Sequence, residues 1–258
     1  MKYPKIILIT AFGGRRFCLD KYFKGIRNLD YPKDKISLVF SDGSNDKTLK
    51  KELDNFAKDY PYYTYNKDTR KPMTGITAGS VEKSKRIASV YTRLQDKVSE
   101  VSGDYILSAE DDIVPPTNGL NKLLKTIKSD EKIGCVFGRQ ICRWMDLPMA
   151  WKIKKRSSYV IGGKENKYDC KPYPLRDSGL QEVDGMPMGF NLFSRDIFLK
   201  ADIRAQITGL TGFDLILAQD IKNWGYKVII DWSIHCKHYH DLRVRSKYGS
   251  FQIQKMLT

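Results

Sequence analysis

Three consecutive carboxylates, Glu110, Asp111 and Asp112, follow a short apolar run in the segment YILSAEDDIVPP. Like charges side by side repel, and the end of a buried strand is a costly place for them. A divalent cation would remove this repulsion, since alternate residues of an extended chain point to the same side. Glu110 and Asp112 can then face one ion together while Asp111 points away. A solvated acidic turn is the alternative, and the strand before the motif and the prolines after it favour the metal site.

Other polar residues with possible chemistry lie after predicted strands or near the C-terminus. Hard carboxylate ligands suit Mg²⁺ or Mn²⁺, and one added imidazole shifts the preference toward Mn²⁺. Such an ion commonly binds a nucleotide diphosphate and offsets the charge of a departing phosphate. Structural roles are the alternative: Asp42 and Asp46 as turn and cap residues, and Asp214 as a helix cap. The polar residues with possible chemistry after strands or near the C-terminus are Thr10, Asp42, Asp46, Asp214, His235, His238 and His240.

Apolar runs alternate with amphipathic stretches along the chain, which predicts an α/β fold with a mostly parallel sheet and helices on both faces. In such sheets ligands bind outside the carboxyl ends of the strands, so the loops after Thr10, Phe40 and Ser108 should share one rim. The predicted strands are 5–10, 36–40, 105–108, 133–137, 189–193 and 227–230, and the predicted helices are 19–27, 47–58, 80–101, 118–127 and 215–224.

A basic segment, Arg143 to Arg176, separates two of these strands and is expected to be irregular, because it combines lysines with Gly, Pro and Tyr. Its aromatic side chains could stack on a sugar or base, or could simply pack. The expected acceptor-binding residues are Trp144, Trp151, Lys154 and Arg156. Residues 241–258 form a second basic segment, a C-terminal tail after one domain spanning 1–240.

The composition restricts the partners more than the fold. A hydrophobic content of 41% supports a packed core in 258 residues, and the net charge of +15 favours an anionic partner such as nucleic acid, a phospholipid surface or a phosphorylated substrate. A well-solvated lysine-rich surface is the alternative. Five cysteines without a CxxC pair indicate reduced thiols. No apolar run reaches the length of a membrane span or resembles a signal peptide, which predicts a cytoplasmic protein. The oligomeric state stays open.

The chain resembles the family 2 nucleotide-sugar glycosyltransferases of the GT-A fold over nearly its whole length. LDYPKDKISLVFSDGSNDKT resembles the family's strand and "DDGSxDxT" nucleotide loop, and GDYILSAEDDIVPP resembles the segment that carries the DxD metal motif. MPMGFNLFSRDIF resembles the acceptor-side strand and helix start. GFDLILAQDIKNWGYKVIIDWSIHCKH resembles the "GED…GY…H" ending. The VPP after the acidic motif and the SIxCxH ending are similar to small phage and bacterial members.

The resemblance implies a role for each matching residue. Glu110 and Asp112 would be the DxD pair, and His238 would be the last metal ligand. Asp214 would be the general base of an inverting transfer, although Phe213 stands where the family has Glu, and Glu110 stands where it usually has Asp. The nucleotide sugar would be bound by the half of the domain before residue 118, through Thr10, Asp42, Asp46, Arg86, Glu110 and Asp111; Arg86 on a solvated helix face is the alternative.

The resemblance implies transfer of a sugar from a nucleotide diphosphate sugar to an acceptor hydroxyl, with Mn²⁺ or Mg²⁺ as cofactor. The expected sugar is a hexose and the expected donor is a UDP-sugar. The charge of +15 favours a polyanionic acceptor, and a hydroxymethylated pyrimidine in DNA is the preferred guess. A glycan or lipid-linked glycan at an anionic membrane is one alternative. A nucleic-acid-binding module that has lost its catalytic activity is another.

Overall fold

The computed structural model describes residues 3–70, 81–142, 147–160, 163–207 and 210–239, with backbone alone at 81, 155–160, 163–168, 206–207 and 210–211. The helices are α1 (Leu19–Arg27), α2 (Leu49–Ala57), α3 (Val81–Ser99), α4 (Gly119–Ile127), α5 (Arg195–Lys200) and α6 (Phe213–Asn223), with a 3₁₀ turn at Lys33–Lys35. The strands are β1 (Ile6–Phe12), β2 (Ile36–Asp42), β3 (Tyr62–Lys67), β4 (Tyr105–Ala109), β5 (Ile113–Val114), β6 (Ile133–Arg139), β7 (Trp151–Val160), β8 (Gly163–Pro172), β9 (Leu180–Glu182), β10 (Phe190–Ser194), β11 (Gln206–Ile207), β12 (Leu210–Thr211), β13 (Lys227–His235) and β14 (Lys237–His238).

The main sheet of the described chain has eight strands in the order β3-β2-β1-β4-β10-β6-β13-β9. Strand β1 is parallel to β2 and β4, and β13 is parallel to β6. Strands β10 and β9 run antiparallel to their neighbours. This confirms the predicted α/β fold with a mostly parallel sheet, and it places the carboxyl ends of β1, β2, β4 and β6 on one rim.

Strand β1 shows how the sheet is held between two apolar layers. Ile6 and Leu8 pack on the side of α1, α2 and α4, whereas Ile7 and Ile9 pack on the side of α3, α5 and α6. All four side chains are fully buried, and alternate residues of a strand point to opposite faces. A strand covered on both faces has to be apolar at every position, which explains the continuous run in the sequence.

Most predicted elements agree with the structure. Helix α1 has the predicted bounds, and β1 and β2 extend the predicted strands by two residues at their carboxyl ends. Strand β3 was not predicted, because YYTYNK is an edge strand without a buried apolar run. The expected start of α3 at Ser80 and the tail 241–258 lie outside the described residues.

The expectation of an irregular segment between Arg143 and Arg176 is wrong for Trp151–Val160 and Gly163–Pro172. Strands β7 and β8 form an antiparallel hairpin in which Trp151 pairs with Pro172 and Lys154 with Asp169. Lys154 pairs with Asp169 of opposite charge, whereas Lys152 pairs with Lys171 of like charge, so the strands tolerate these lysines mainly because Lys152, Lys154 and Lys171 are exposed to solvent. Across the described ranges, no helix is both long and apolar enough to cross a membrane.

Candidate active site

The rim at the carboxyl ends of the central strands brings the predicted polar residues together. Parallel pairing aligns Phe12 with Asp42 and Ile9 with Ser108, so the loops that follow β1, β2 and β4 are neighbours. The Gly43 amide donates to the Phe12 carbonyl at 2.9 Å. Gly14 has a φ of 77°, and a Cβ on it would lie 2.8 Å from the Cβ of Ser44. Only glycine permits this close contact between the two loops.

The middle carboxylate of the acidic motif, Asp111, faces the loop after β1. It is almost fully buried and accepts hydrogen bonds from the Gly13 amide at 2.9 Å and from the Arg15 guanidinium. Arg15 Nε also lies 3.2 Å from Asp112 Oδ2. Burial alone would lower the pKa of Arg15, but the charges of Asp111 and Asp112 outweigh it and raise the pKa above its ordinary value. Arg15 is therefore a permanent cation inside the acidic motif.

Asp112 faces His238, which arrives from the far end of the described chain. Strand β14 pairs with β5 so that His238 lies opposite Ile113, and the Tyr239 amide donates to the Asp112 carbonyl at 2.8 Å. His238 Nε2 is 3.5 Å from Asp112 Oδ2, and both side chains are buried. His238 Nδ1 lies 2.9 Å from the Ile141 carbonyl, which can only accept, so Nδ1 carries a proton.

This pair fits a divalent metal ion as a partial ligand set. A neutral imidazole with its proton on Nδ1 would present the Nε2 lone pair to the same side as Asp112 Oδ2, and a cation bound by both atoms would stabilise this arrangement. A carbonyl that fixes the tautomer is the usual outer partner of a metal-binding histidine. Among the described residues, however, no group of three His, Cys, Asp or Glu side chains is arranged to hold a metal. The remaining ligands would have to come from Glu110 or from bound phosphate.

Asp214 lies in the first turn of α6, partly buried. Burial raises its pKa to about 6, although two backbone amides, including that of Leu215 at 2.9 Å, act in the opposite direction. Gly212 precedes it with a φ of 107°, and a Cβ on this glycine would lie 2.9 Å from Asp214 Oδ1. A carboxylate with a pKa near neutrality can accept a proton under physiological conditions.

Tyr91 connects the acidic motif with Asp214. Its phenol is fully buried, and its pKa is raised well above the ordinary value by burial, with the nearby carboxylates Glu110 and Asp214 adding to the effect. The Tyr91 ring also packs against Phe213, with 4.7 Å between ring centroids. Phe213 is thus a core residue, which explains an apolar side chain where the resemblance would place Glu. The Glu110 amide donates to the Gly189 carbonyl at 2.9 Å.

The fold is similar to those of solved glycosyltransferases. The mannosyltransferase PcManGT from Pyrobaculum calidifontis, in complex with GDP-Man and Mn²⁺, has a TM-score of 0.56 and 14% identity over 90% of this chain and 57% of its own. GalNAc-T7 with UDP, GalNAc and Mn²⁺ has a TM-score of 0.62 and 13% identity over 93% of this chain and 44% of its own. S. aureus TarS 1-349 with UDP-GlcNAc has a TM-score of 0.54 and 11% identity over 95% and 62%.

The chain has the GT-A fold. It spans 57% and 44% of the length of the first two of these proteins, and at these identities the likeness concerns the fold alone. No protein-family model and no curated protein matches the sequence.

The part of the chain before residue 118 contains the other predicted donor-binding residues. Asp42 is fully buried and accepts from the Ser44 amide, Tyr65 and Lys67, each at 2.7 Å. Asp46 caps its own loop through Thr48 and binds Arg16, which holds the pKa of Asp46 well below its ordinary value. Thr10 is buried, and its hydroxyl is hydrogen-bonded to the Tyr22 hydroxyl. Their predicted contacts with a nucleotide sugar stay predictions.

Arg86 belongs to a cluster of three arginines around the buried carboxylate of Asp68. Arg70 and Arg93 lie 2.6 and 3.0 Å from Asp68 Oδ2, and Arg86 lies 3.8 Å from it. Arg86 also donates to the Arg70 carbonyl at 3.0 Å. The Asp68 amide donates to the Asp42 carbonyl at 2.8 Å, so the cluster adjoins the loop after β2. A pyrophosphate contact of Arg86 stays a prediction.

The base of the β7–β8 hairpin, which carries predicted acceptor-binding residues, lies next to α6. A Cβ on Gly185 would meet Leu215 Cδ2 at 2.8 Å, Ile153 Cδ1 at 3.1 Å and Trp151 Cβ at 3.3 Å. Trp151 is therefore one side chain away from the turn that carries Asp214, and Lys154 is exposed on the same strand. Trp144 and the side chain of Arg156 lie outside the described residues.

Two placements differ from what spacing alone suggested. His235 is exposed and lies 3.1 Å from the Asp177 carbonyl, so of the described histidines His238 alone joins the acidic motif. Arg15 was not singled out in the sequence. Its position directly after a buried strand, on the shared rim, is the signal that could have indicated it. A cavity of about 470 Å³ lies at the other end of the sheet from this rim, at the amino ends of β1 and β4, beside Pro4, Asp104 and Arg195.

Proposed function

We propose that this protein is a metal-dependent glycosyltransferase that moves a sugar from a nucleotide diphosphate sugar to an acceptor hydroxyl. The facing pair of Asp112 and His238 Nε2, 3.5 Å apart on the rim that also bears Asp214, carries this proposal. The GT-A fold supports it, since the similar mannosyltransferase and GalNAc-T7 were solved with Mn²⁺ and with GDP-Man or UDP. A UDP-linked hexose is the preferred donor.

The residues of this chain divide the chemistry between the two halves of the rim. Asp112 and His238, assisted by Glu110, would hold Mn²⁺ or Mg²⁺, which when bound supplies positive charge for the leaving nucleotide diphosphate. Asp214, with a pKa of about 6, accepts the proton of the acceptor hydroxyl as that oxygen attacks the anomeric carbon. Attack opposite the leaving group gives inversion. Tyr91 and Phe213 make the surroundings of the general base, Asp214, apolar.

Metal removal tests the reaction itself. Purified protein should release UDP or GDP from a panel of nucleotide sugars when Mn²⁺ is present, and a chelator should reduce the release by at least about 100-fold, because the leaving diphosphate then lacks its counter-charge. Re-addition of Mn²⁺ in excess of the chelator should restore the rate. Full turnover in chelator would contradict the metal assignment, and no turnover with any donor would contradict the transferase.

For the acceptor we propose a polyanion, and specifically a hydroxymethylated pyrimidine in DNA. The +15 charge of the chain and the exposed Lys152, Lys154 and Lys171 at the base of the hairpin support this choice. The hairpin base lies beside α6, so a bound backbone would pass close to Asp214, and the target base would have to leave the stack. Such a reaction belongs in the cytoplasm of a bacterial or phage-infected cell.

Sugar transfer onto modified DNA tests the acceptor. Duplexes with and without hydroxymethylated cytosine or uracil, offered with the active donor, should differ in whether mass spectrometry detects an added sugar on the base. Salt-sensitive binding to both duplexes is expected from charge alone and does not decide the question. Transfer to a simple or lipid-linked glycan but not to modified DNA would establish the alternative acceptor at an anionic membrane. Binding without any turnover would favour a catalytically inactive DNA-binding module.

A further inference from the structure

Arg15 occupies a position that the proposed reaction does not use. It lies in the loop after β1, and its guanidinium binds Asp111 through Nη1 while its Nε lies 3.2 Å from Asp112 Oδ2. Asp112 Oδ2 is also the oxygen that faces His238 Nε2 at 3.5 Å. One carboxylate oxygen is therefore shared between a permanent cation and the imidazole that would help to bind a metal ion.

We propose that Arg15 is an internal counter-cation which competes with the metal ion for Asp112 until a nucleotide diphosphate draws it away. Metal and nucleotide would then bind cooperatively, each favouring the other. This inference rests on the proposed function, because it assumes that metal and nucleotide diphosphate share this rim.

The first step of the argument is electrostatic. A divalent ion between Asp112 Oδ2 and His238 Nε2 would lie close to the Arg15 guanidinium, and like charges at such a distance in a buried site repel. The protein without nucleotide should therefore bind the metal weakly. A diphosphate adds negative charge beside both cations and converts this repulsion into a shared attraction.

The second step is geometric. The Arg15 side chain is 31% exposed, whereas Asp111 and Asp112 are buried, so a ligand in solution can reach part of the Arg15 side chain. A guanidinium presents five donors in a planar fork that matches phosphate oxygens. The bond to Asp111 can stay in place as a pivot while Nε turns from Asp112 to a phosphate. Asp111 in turn is held by the Gly13 amide at 2.9 Å.

Arg16 provides a matched control in the same loop. It binds Asp46 and Glu52, with Nη1 at 2.6 Å from Glu52, and touches neither Asp111 nor Asp112. Substituting Arg15 or Arg16 by Gln removes one positive charge from adjacent residues. Only the Arg15 substitution removes the cation that contacts Asp111 and Asp112.

The experiment measures Mn²⁺ affinity by calorimetry or by Mn²⁺ electron paramagnetic resonance, with and without saturating UDP or GDP. Wild type should bind Mn²⁺ about 10-fold or more tightly when the diphosphate is present, within the usual range of coupling between two sites. Arg15→Gln should bind Mn²⁺ about 5–10-fold more tightly than wild type without nucleotide and should show an enhancement that is smaller by the same factor, since the part that comes from direct coordination by phosphate remains. Arg16→Gln should behave as wild type.

The outcomes separate this inference from the proposed function. If wild type binds neither Mn²⁺ nor UDP nor GDP, both fail. If it binds them but Arg15→Gln shows unchanged Mn²⁺ affinity and unchanged enhancement, the counter-cation is overturned and the transferase stands. Arg15→Lys covers a failure of the Gln variant to fold: it keeps the charge and loses the fork, so it should match wild type without nucleotide and show a smaller enhancement. Tighter Mn²⁺ binding than wild type by a folded Arg15→Lys without nucleotide, despite the retained charge, overturns the inference.

Discussion

Replacing Asp214 with Asn should lower the rate of sugar transfer by about 10²–10⁴-fold, the usual contribution of a general base. The amide keeps the shape of the side chain but cannot accept the proton of the acceptor hydroxyl. Binding of UDP or GDP with Mn²⁺ should change little, since Asp112 and His238 are untouched. Initial rates with the active donor and acceptor, together with calorimetric affinity for the nucleotide, measure the two quantities separately.

Asp220→Asn is the matched control, because it makes the same change in the same helix. Asp220 pairs with Arg204 at 2.7 Å on another side of α6. Its substitution should therefore lower the stability of the protein and leave the rate of transfer unchanged. Transfer by Asp214→Asn within about 10-fold of wild type would be too small a loss for a general base and would assign the base to another residue.

The pH dependence of wild type gives a second measurement on the same base. Burial raises the pKa of Asp214 to about 6, so the carboxylate becomes protonated as the pH falls through about 6 and transfer should fall with it. The raised pKa also means that the folded protein prefers the protonated, neutral form of Asp214. Ionised Asp214 therefore lowers the stability of the fold above about pH 6, and this loss disappears in acid. Asp214→Asn should therefore not lower the melting temperature at mildly alkaline pH, which separates lost catalysis from unfolding.

Removing the metal-binding pair should have the next largest effect. Asp112→Asn and His238→Ala should each weaken Mn²⁺ affinity in the presence of UDP or GDP by about 100-fold, at or beyond the upper limit seen for loss of an outer-shell partner. Asp112 supplies the charge, and His238, oriented by the Ile141 carbonyl at 2.9 Å, supplies the Nε2 lone pair. Turnover at low Mn²⁺ should fall in parallel and recover partly at high Mn²⁺.

Two substitutions of the same kind serve as controls. Asp104 precedes β4 and binds the Lys5 amide at 2.7 Å, so Asp104→Asn changes a carboxylate at the opposite end of the strand from Asp112. His235→Ala changes an exposed histidine three residues before His238. Both controls should retain wild-type Mn²⁺ affinity. Wild-type affinity in Asp112→Asn or His238→Ala would place the metal elsewhere on the rim.

Local pattern was enough to predict the central elements and the position of several polar residues on the rim. The apolar runs of β1, β2, β4 and β6 are visible because each strand is covered on both faces and needs apolar side chains at every position. The acidic motif and Asp214 follow from the same logic, since charged residues directly after such strands or at a helix start lie on the rim. The resemblance to GT-A sequences added His238, which spacing alone left among three equivalent histidines.

Local pattern failed where a residue's environment comes from distant parts of the chain. The β7–β8 hairpin was missed because its described lysines are exposed and give no buried apolar run, and because the strands are defined by pairing such as that of Trp151 with Pro172. Phe213 stood out as a departure from the GT-A pattern until its packing against Tyr91 showed a role in the core.

The sequence alone therefore specifies an α/β sheet and the carboxylates on its rim, because burial and turn chemistry act over a few neighbouring residues. Tertiary structure alone specifies their partners: Arg15 with Asp111 and Asp112, and His238 with Asp112. These contacts join residues about a hundred positions apart, and their geometry depends on the register of β5 with β14 and on a two-glycine loop. A charge acts over a few ångströms in space regardless of sequence distance, so only the folded chain shows which charges meet.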